Sequence, residues 1–365
     1  MSPATAKIDR FFLFSVAALT IAGFVIFLSA ALGLLARDGA DFSMVALKQA
    51  ISLVIGVGAF WGFSRFNYHR LRSAAFFILI GSIIVNLLLF IPALSLNHGG
   101  AARWIDLGFI SFQPSEFLKI AFIIYMAAWI HFTKDKISQF KHGVMPYVII
   151  MAVLGTLLFF QHDNDTLAII GFTGLVMLFI AGLPKKHFIG IVVVGAVALA
   201  GALSLQPHAL QRIATYFNGG SDTQGTGYQV NQSLIAIGSG QFAGRGFGQS
   251  IQKFGYLPEP IGDSIFAVAA EEFGFLGGLV LLALYISLAV SSFRIGTHTH
   301  DPFGSMLAIG LAVLIITESF MNIGAMLGVI PLSGLPLLFV SHGGTALIII
   351  LAASGMVANV SKYSR

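Results

Sequence analysis

Long apolar runs separated by short polar clusters dominate the chain, and each run can cross the roughly 30 Å hydrocarbon core of a bilayer as a helix. They lie near 11 to 35, 43 to 64, 73 to 95, 115 to 132, 144 to 161, 166 to 182, 187 to 205, 263 to 293, 303 to 329 and 336 to 359. The pattern predicts an all-α polytopic membrane protein with ten transmembrane helices, a single integral membrane domain over 1 to 365. The weakest division, at His162-Asp163-Asn164-Asp165, stands because two aspartates at a helix centre would cost about 5 kcal/mol or more. The first run far exceeds the roughly 7 to 15 apolar residues of a signal peptide and lacks a clear cleavage site, so it is expected to remain as a span.

Composition agrees with hydrocarbon as the main solvent: 57% of residues are hydrophobic and 10% charged. The net charge of +5 raises the question of a nucleic-acid partner. Its distribution answers it. With the N-terminus in the cytoplasm, all but seven of the twenty Lys and Arg fall on the cytoplasmic side, which is the positive-inside rule rather than a polyanion-binding surface. Both termini are then cytoplasmic. The stretch 206 to 262 becomes a large extracytoplasmic loop between the seventh and eighth spans. Within it, Gly227 to Phe242 mixes amides and apolar residues at helical spacing, as a short interfacial helix would. The absence of cysteine excludes disulfides and thiolate metal sites.

Asp263 closes this loop and opens the eighth span. A lone Asp at a helix start ordinarily caps it, and the helix dipole there favours the ionised form. Pro258, Pro260 and Gly262 stiffen and turn the approach, which suits an acid aimed at a substrate. Glu271 and Glu272 follow, about 12 to 13 Å deeper if the helix is straight. Their charge points either to pairing within the bundle or to a substrate path. Gln113-Pro114-Ser115-Glu116-Phe117-Leu118-Lys119 opens the fourth span with an i, i+3 Glu116 and Lys119 pair. Arg103, Arg212, Arg245 and Lys253 add outer cations. Singly, such charges face lipid headgroups, and only convergence on Asp263 would be informative. The glycines of 238 to 248 lack the strand and helix context of a phosphate loop, and no HExxH or nucleophile elbow occurs. His162 with Asp163 and Asp165 is the one metal-like grouping, and no metal site is assigned.

Four blocks together resemble one family, the SEDS proteins (shape, elongation, division, sporulation). They are Gly100-Ala-Ala-Arg-Trp-Ile-Asp-Leu-Gly108 with Phe112 to Lys119; Gly227-Tyr-Gln with Gln232-Ser-Leu-Ile-Ala-Ile-Gly238 and Gly244-x-Gly-x-Gly248; Leu257-Pro-Glu to Glu271-Glu-Phe-Gly274; and Asn322-Ile-Gly with Pro331-Leu-Ser-Gly-Leu-Pro336 and Ser341-His-Gly-Gly344. The third block looks more like the cell-division FtsW branch than the elongation RodA branch. Three departures stand out: Gly262-Asp263-Ser264 where the family commonly reads Thr-Asp-Phe, His162-Asp-Asn-Asp-Thr166 for Pro-Asp-Leu-Gly-Thr, and Ser341-His-Gly-Gly344 for Ser-Tyr-Gly-Gly.

The resemblance implies a peptidoglycan glycosyltransferase of the bacterial cytoplasmic (inner) membrane. It would polymerise lipid II with a class B penicillin-binding protein and other divisome or elongasome proteins as partners. Asp263 matches the family's essential loop aspartate, and Glu116 and Lys119 its polar pair. The expected substrate-binding set is Arg103, Glu116, Lys119, Arg245 and Glu259. Gln113, Ser115, Gln232, Glu271, Glu318 and Ser341 are expected as structural or cavity-lining polar groups. A divalent cation, Mg or Mn, is the one cofactor left as a candidate. The rival readings are a lipid II flippase and a non-catalytic division scaffold.

Overall fold

The computed structural model describes residues 7–36, 41–92, 94–98, 101–106, 111–217 and 226–363. The first half of the bundle comprises α1 (Arg10–Ala31), α2 (Phe42–Arg65), α3 (His69–Leu87), α4 (Pro114–Thr133), α5 (Met145–Phe160) and α6 (Asn164–Ile180). It continues with α7 (Lys185–Ser204), α8 (Pro207–Phe217), α9 (Thr226–Ser239), α10 (Ile265–His298), α11 (Pro302–Met326) and α12 (Gly344–Ser361). Among the described residues nine helices are long and apolar enough to span a membrane, and α6 is a shorter apolar helix of 17 residues. The break between α5 and α6 falls at the aspartates, where the Asp163 carboxylate accepts from Thr166 N as the cap of α6.

Burial ranks the helices. Most of α4, α11 and α12 is inside, whereas α7 has no buried residue and exposes Val193, Val194 and Val197, as a lipid-facing helix does. The membrane is thus the solvent for one face of the bundle. At its centre α11 packs against α4, α6 and α10.

Several expectations change. Leu327 to Gly343 is irregular, so the last helix starts at Gly344 rather than at 336; Pro336 has no N–H to donate and biases the preceding residue away from helix. The connection before α4 contains a small antiparallel sheet, β1 (Ser95–His98), β2 (Ala101–Asp106) and β3 (Ser111–Phe112), in that order. In the long outer loop, α9 occupies the expected interfacial helix, and α8 is an additional one.

Helix α10 is not a straight rod. Gly274, at φ 67°, breaks it, and a side chain there would collide with the Gly244 backbone nitrogen. The outer loop fills the break: Arg245 N and Gly246 N donate to the carbonyls of Glu271 and Glu272, while Phe275 N and Leu276 N donate to those of Gln241 and Phe242. Backbone groups freed inside an apolar bundle must be paired, and here the loop pairs them.

Candidate active site

The turn before α10 is built on Glu259, whose carbonyl accepts from both Gly262 N (3.0 Å) and Ser264 N (3.2 Å). Glu259 itself adopts a left-handed φ of 46°, uncommon for a residue other than glycine, and its side chain is exposed. The helix opens at Ile265, so Asp263 lies in the loop, outside the span. It does not cap α10. Ser264 occupies the cap position, and the Asp263 Oδ1 instead accepts from Gln229 Nε2 on α9 at 3.0 Å. Gln229 also donates to Ser264 Oγ at 3.0 Å, so one carboxamide joins the loop helix to the turn.

Asp263 keeps some accessible surface, yet protein encloses it enough that burial pushes its carboxyl up to about 7. The nearby Glu259 carboxylate adds to the rise; the Gln229 hydrogen bond and the more distant Arg212 guanidinium oppose it. The expectation that the helix dipole would favour the ionised form is therefore corrected. Desolvation outweighs the dipole.

The fourth-helix pair belongs to a buried triad. Lys119 Nζ lies 2.9 Å from Glu116 Oε1 and 2.6 Å from Glu318 Oε1, tying α4 to α11. All three side chains are buried, so the ammonium is committed to two carboxylates. One turn further along α11, Asn322 donates to the Asp263 carbonyl at 2.7 Å, which connects the triad's helix to the acid.

The remaining candidates separate into places near and far. Ser341 Oγ donates to the Gly262 carbonyl at 2.7 Å and is close to Asp263 in structure. Arg103 bonds the His162 carbonyl and faces Asp163 at 4.0 Å, while Arg212 faces Asp165 at 3.6 Å. Arg245 is directed away, to Glu271 at 3.4 Å and Ser239 Oγ at 3.3 Å. Gln113 Nε2 donates to Ser115 Oγ at 3.2 Å at the head of α4, and Gln232 is half-buried on α9. Lys253, expected as an outer cation, is fully buried and pairs with Glu272 at 2.6 Å. Sequence reasoning passed over Gln229 and Asn322 as individuals, although both stand inside blocks that carried the family resemblance.

The model of the cell cycle protein family that groups FtsW, RodA and SpoVE matches residues 9–365. The stage V sporulation protein E of Bacillus subtilis is 35% identical over 325 residues, 89% of each chain. The probable peptidoglycan glycosyltransferase FtsW of Geobacter metallireducens is 35% identical over 355 residues, covering 97% of this chain and 95% of its own. A chain of a peptidoglycan synthase complex, solved for how polymerization and crosslinking are coordinated, matches with a TM-score of 0.80 at 24% identity over 98% of this chain and 99% of its own. The rod shape determining protein RodA of Thermus thermophilus matches with a TM-score of 0.72, also at 24% identity, over 98% of both chains. These structural likenesses show a shared fold.

Proposed function

The chain belongs to the cell cycle protein family of FtsW, RodA and SpoVE, and from that premise we propose that Asp263 is the general base of its reaction. The protein is a multi-pass peptidoglycan glycosyltransferase of the bacterial inner membrane. Its proposed substrate is lipid II, and a class B penicillin-binding protein is the proposed partner. In the reaction, a sugar 4-hydroxyl oxygen attacks the anomeric carbon of a second, lipid-linked sugar. The new C–O bond forms as the bond to pyrophosphate breaks, and the electron pair leaves on pyrophosphate. The hydroxyl proton goes to the Asp263 carboxylate, and the linkage inverts from α to β.

Pyrophosphate is a good leaving group once its charge is met, so a second carboxyl acid of the glycosidase kind is unnecessary. A base works best with a pKa near the working pH, where it is largely ionised yet still basic; such a group contributes about 10² to 10⁴ in rate. The observation that supports the assignment is the company each carboxylate keeps. Glu116, Asp163, Asp165, Glu271, Glu272 and Glu318 each have a Lys or Arg within 4.0 Å; in the turn before α10, Asp263 and the exposed Glu259 have none among the described residues, and of these two Asp263 is the one enclosed by protein.

The placement of cations favours Arg103 and Arg212, on the outer polar cluster, over Lys119 and Arg245 as the groups that screen pyrophosphate. Glu259 and Asp263 are two carboxylates that could hold a Mg or Mn ion there. Among the described residues no group of three His, Cys, Asp or Glu comes together as a metal site. The carrier reading finds one supporting feature, the broken α10, because transporters place ions at such breaks. Here loop backbone groups occupy the break. Purified Asp263→Asn protein should lose about 10²-fold or more of lipid II polymerisation while keeping its fold. A wild-type rate from that variant would overturn the assignment, and headgroup translocation in liposomes undiminished by it would favour the carrier.

A further inference from the structure

Three consecutive carbonyls of the turn are each held by a different group from α11 and the segment that follows it. His342 N donates to Ile261 O at 2.7 Å, Ser341 Oγ to Gly262 O at 2.7 Å, and Asn322 Nδ2 to Asp263 O at 2.7 Å. The same side chains also hold each other's surroundings. Asn322 Nδ2 donates to Leu335 O at 2.8 Å, and Ser341 Oγ accepts from Leu337 N at 2.8 Å. Asn322 is fully buried, and two carbonyl oxygens fix which end of its carboxamide is the nitrogen. The turn before α10 and the segment around 335 to 342 are thereby laced into one unit. That unit is anchored to α4 through Glu318 and Lys119.

We infer that Asn322 and Ser341 are positioning residues for the Asp263 carboxylate, holding its backbone where the side chain can reach the attacking hydroxyl. The inference rests on the proposal that Asp263 is the base. Neither side chain touches the Asp263 carboxylate; both act on the peptide groups at and before it. The plainer role, satisfying loop carbonyls near the membrane surface, would be met by any arrangement that paired them. What distinguishes this arrangement is its placement on successive carbonyls ending at the reacting residue. A reacting group displaced by about 1 Å can cost up to about 10²-fold in rate, so the clamp should be visible in turnover.

The experiment is steady-state lipid II polymerisation by the purified full-length chain and its Ser341→Ala, Ser341→Thr and Asn322→Ala variants, with thermal unfolding in parallel. Ser341→Ala and Asn322→Ala should lower kcat by about 10- to 100-fold with KM within about twofold, because ground-state binding is untouched. Ser341→Thr, which keeps the hydroxyl, should recover most of the rate at unchanged KM. Folded Ser341→Ala turning over within about twofold of wild type would overturn the inference, as would failure of Ser341→Thr to recover what Ser341→Ala lost. If Asn322→Ala does not fold, the two Ser341 variants decide alone. An Asp263→Asn protein that stays active sinks the base assignment; an inactive one beside fully active clamp variants sinks only the clamp.

Discussion

Asp263 and the Glu271 and Glu272 pair sit eight and nine residues apart in one stretch of chain, yet they are solvated in opposite ways. Glu271 accepts from Ser239 Oγ, Ser250 Oγ, Ile251 N and Gln252 N, with Arg245 beside it. Glu272 accepts from Ser29 Oγ, Ser250 N and Lys253 Nζ. Asp263 has a single side-chain donor, Gln229, and a second carboxylate nearby. A carboxylate whose oxygens are taken up by several donors and a cation is committed to locking the loop onto α10. One that burial leaves short of donors is poised to take a proton. Asp263 lies in the loop and the glutamates inside the span, and the number of donors assigns their roles.

That contrast can be broken from the structural side first. Lys253→Ala removes the cation from buried Glu272 and should cost about 3 to 5 kcal/mol, read as a lower unfolding midpoint or lost yield. Adding Glu272→Gln should recover part of it, since no buried charge is then left unpaired. Asp263 should behave in the reverse sense. Its carboxyl titrates at 3.8 when unperturbed and at about 7 in the fold, so the folded state holds the proton more tightly. The stability this gives is fully present below about 4 and is lost as pH rises towards 7. Asp263→Asn should therefore melt above wild type at pH 8, with the gap closing towards pH 4; a variant less stable at pH 8 would contradict this.

Much of this was legible in the residues. Apolar run length placed the spans, and the Pro-Glu-Pro-Ile-Gly-Asp turn marked Asp263, because both signals are local. Pairing across the fold was not. The Lys119 ammonium meets Glu318 across 199 positions of chain, and Lys253 meets Ser29 across 224, distances over which spacing carries no information. Lys253 therefore read as a surface cation although it is buried. The sheet at 95 to 112 escaped because its strands are two to six residues long inside a polar connection. The raised pKa of Asp263 escaped for a related reason: helix position is written in the sequence, whereas desolvation comes from α9 and the segment after α11 folding over it.

The smallest expected change comes from Gln229. Its hydrogen bond draws the Asp263 carboxyl down, so Gln229→Ala should move the acid limb of activity to higher pH. The role of Asp263 as base is tested most directly by that limb in the wild-type protein, measured as kcat/KM for lipid II polymerisation between pH 5 and 9. The rate should fall below a midpoint near 7, approaching tenfold per pH unit, as the base becomes protonated. A rate that stays flat from pH 8 down to pH 5 would contradict it.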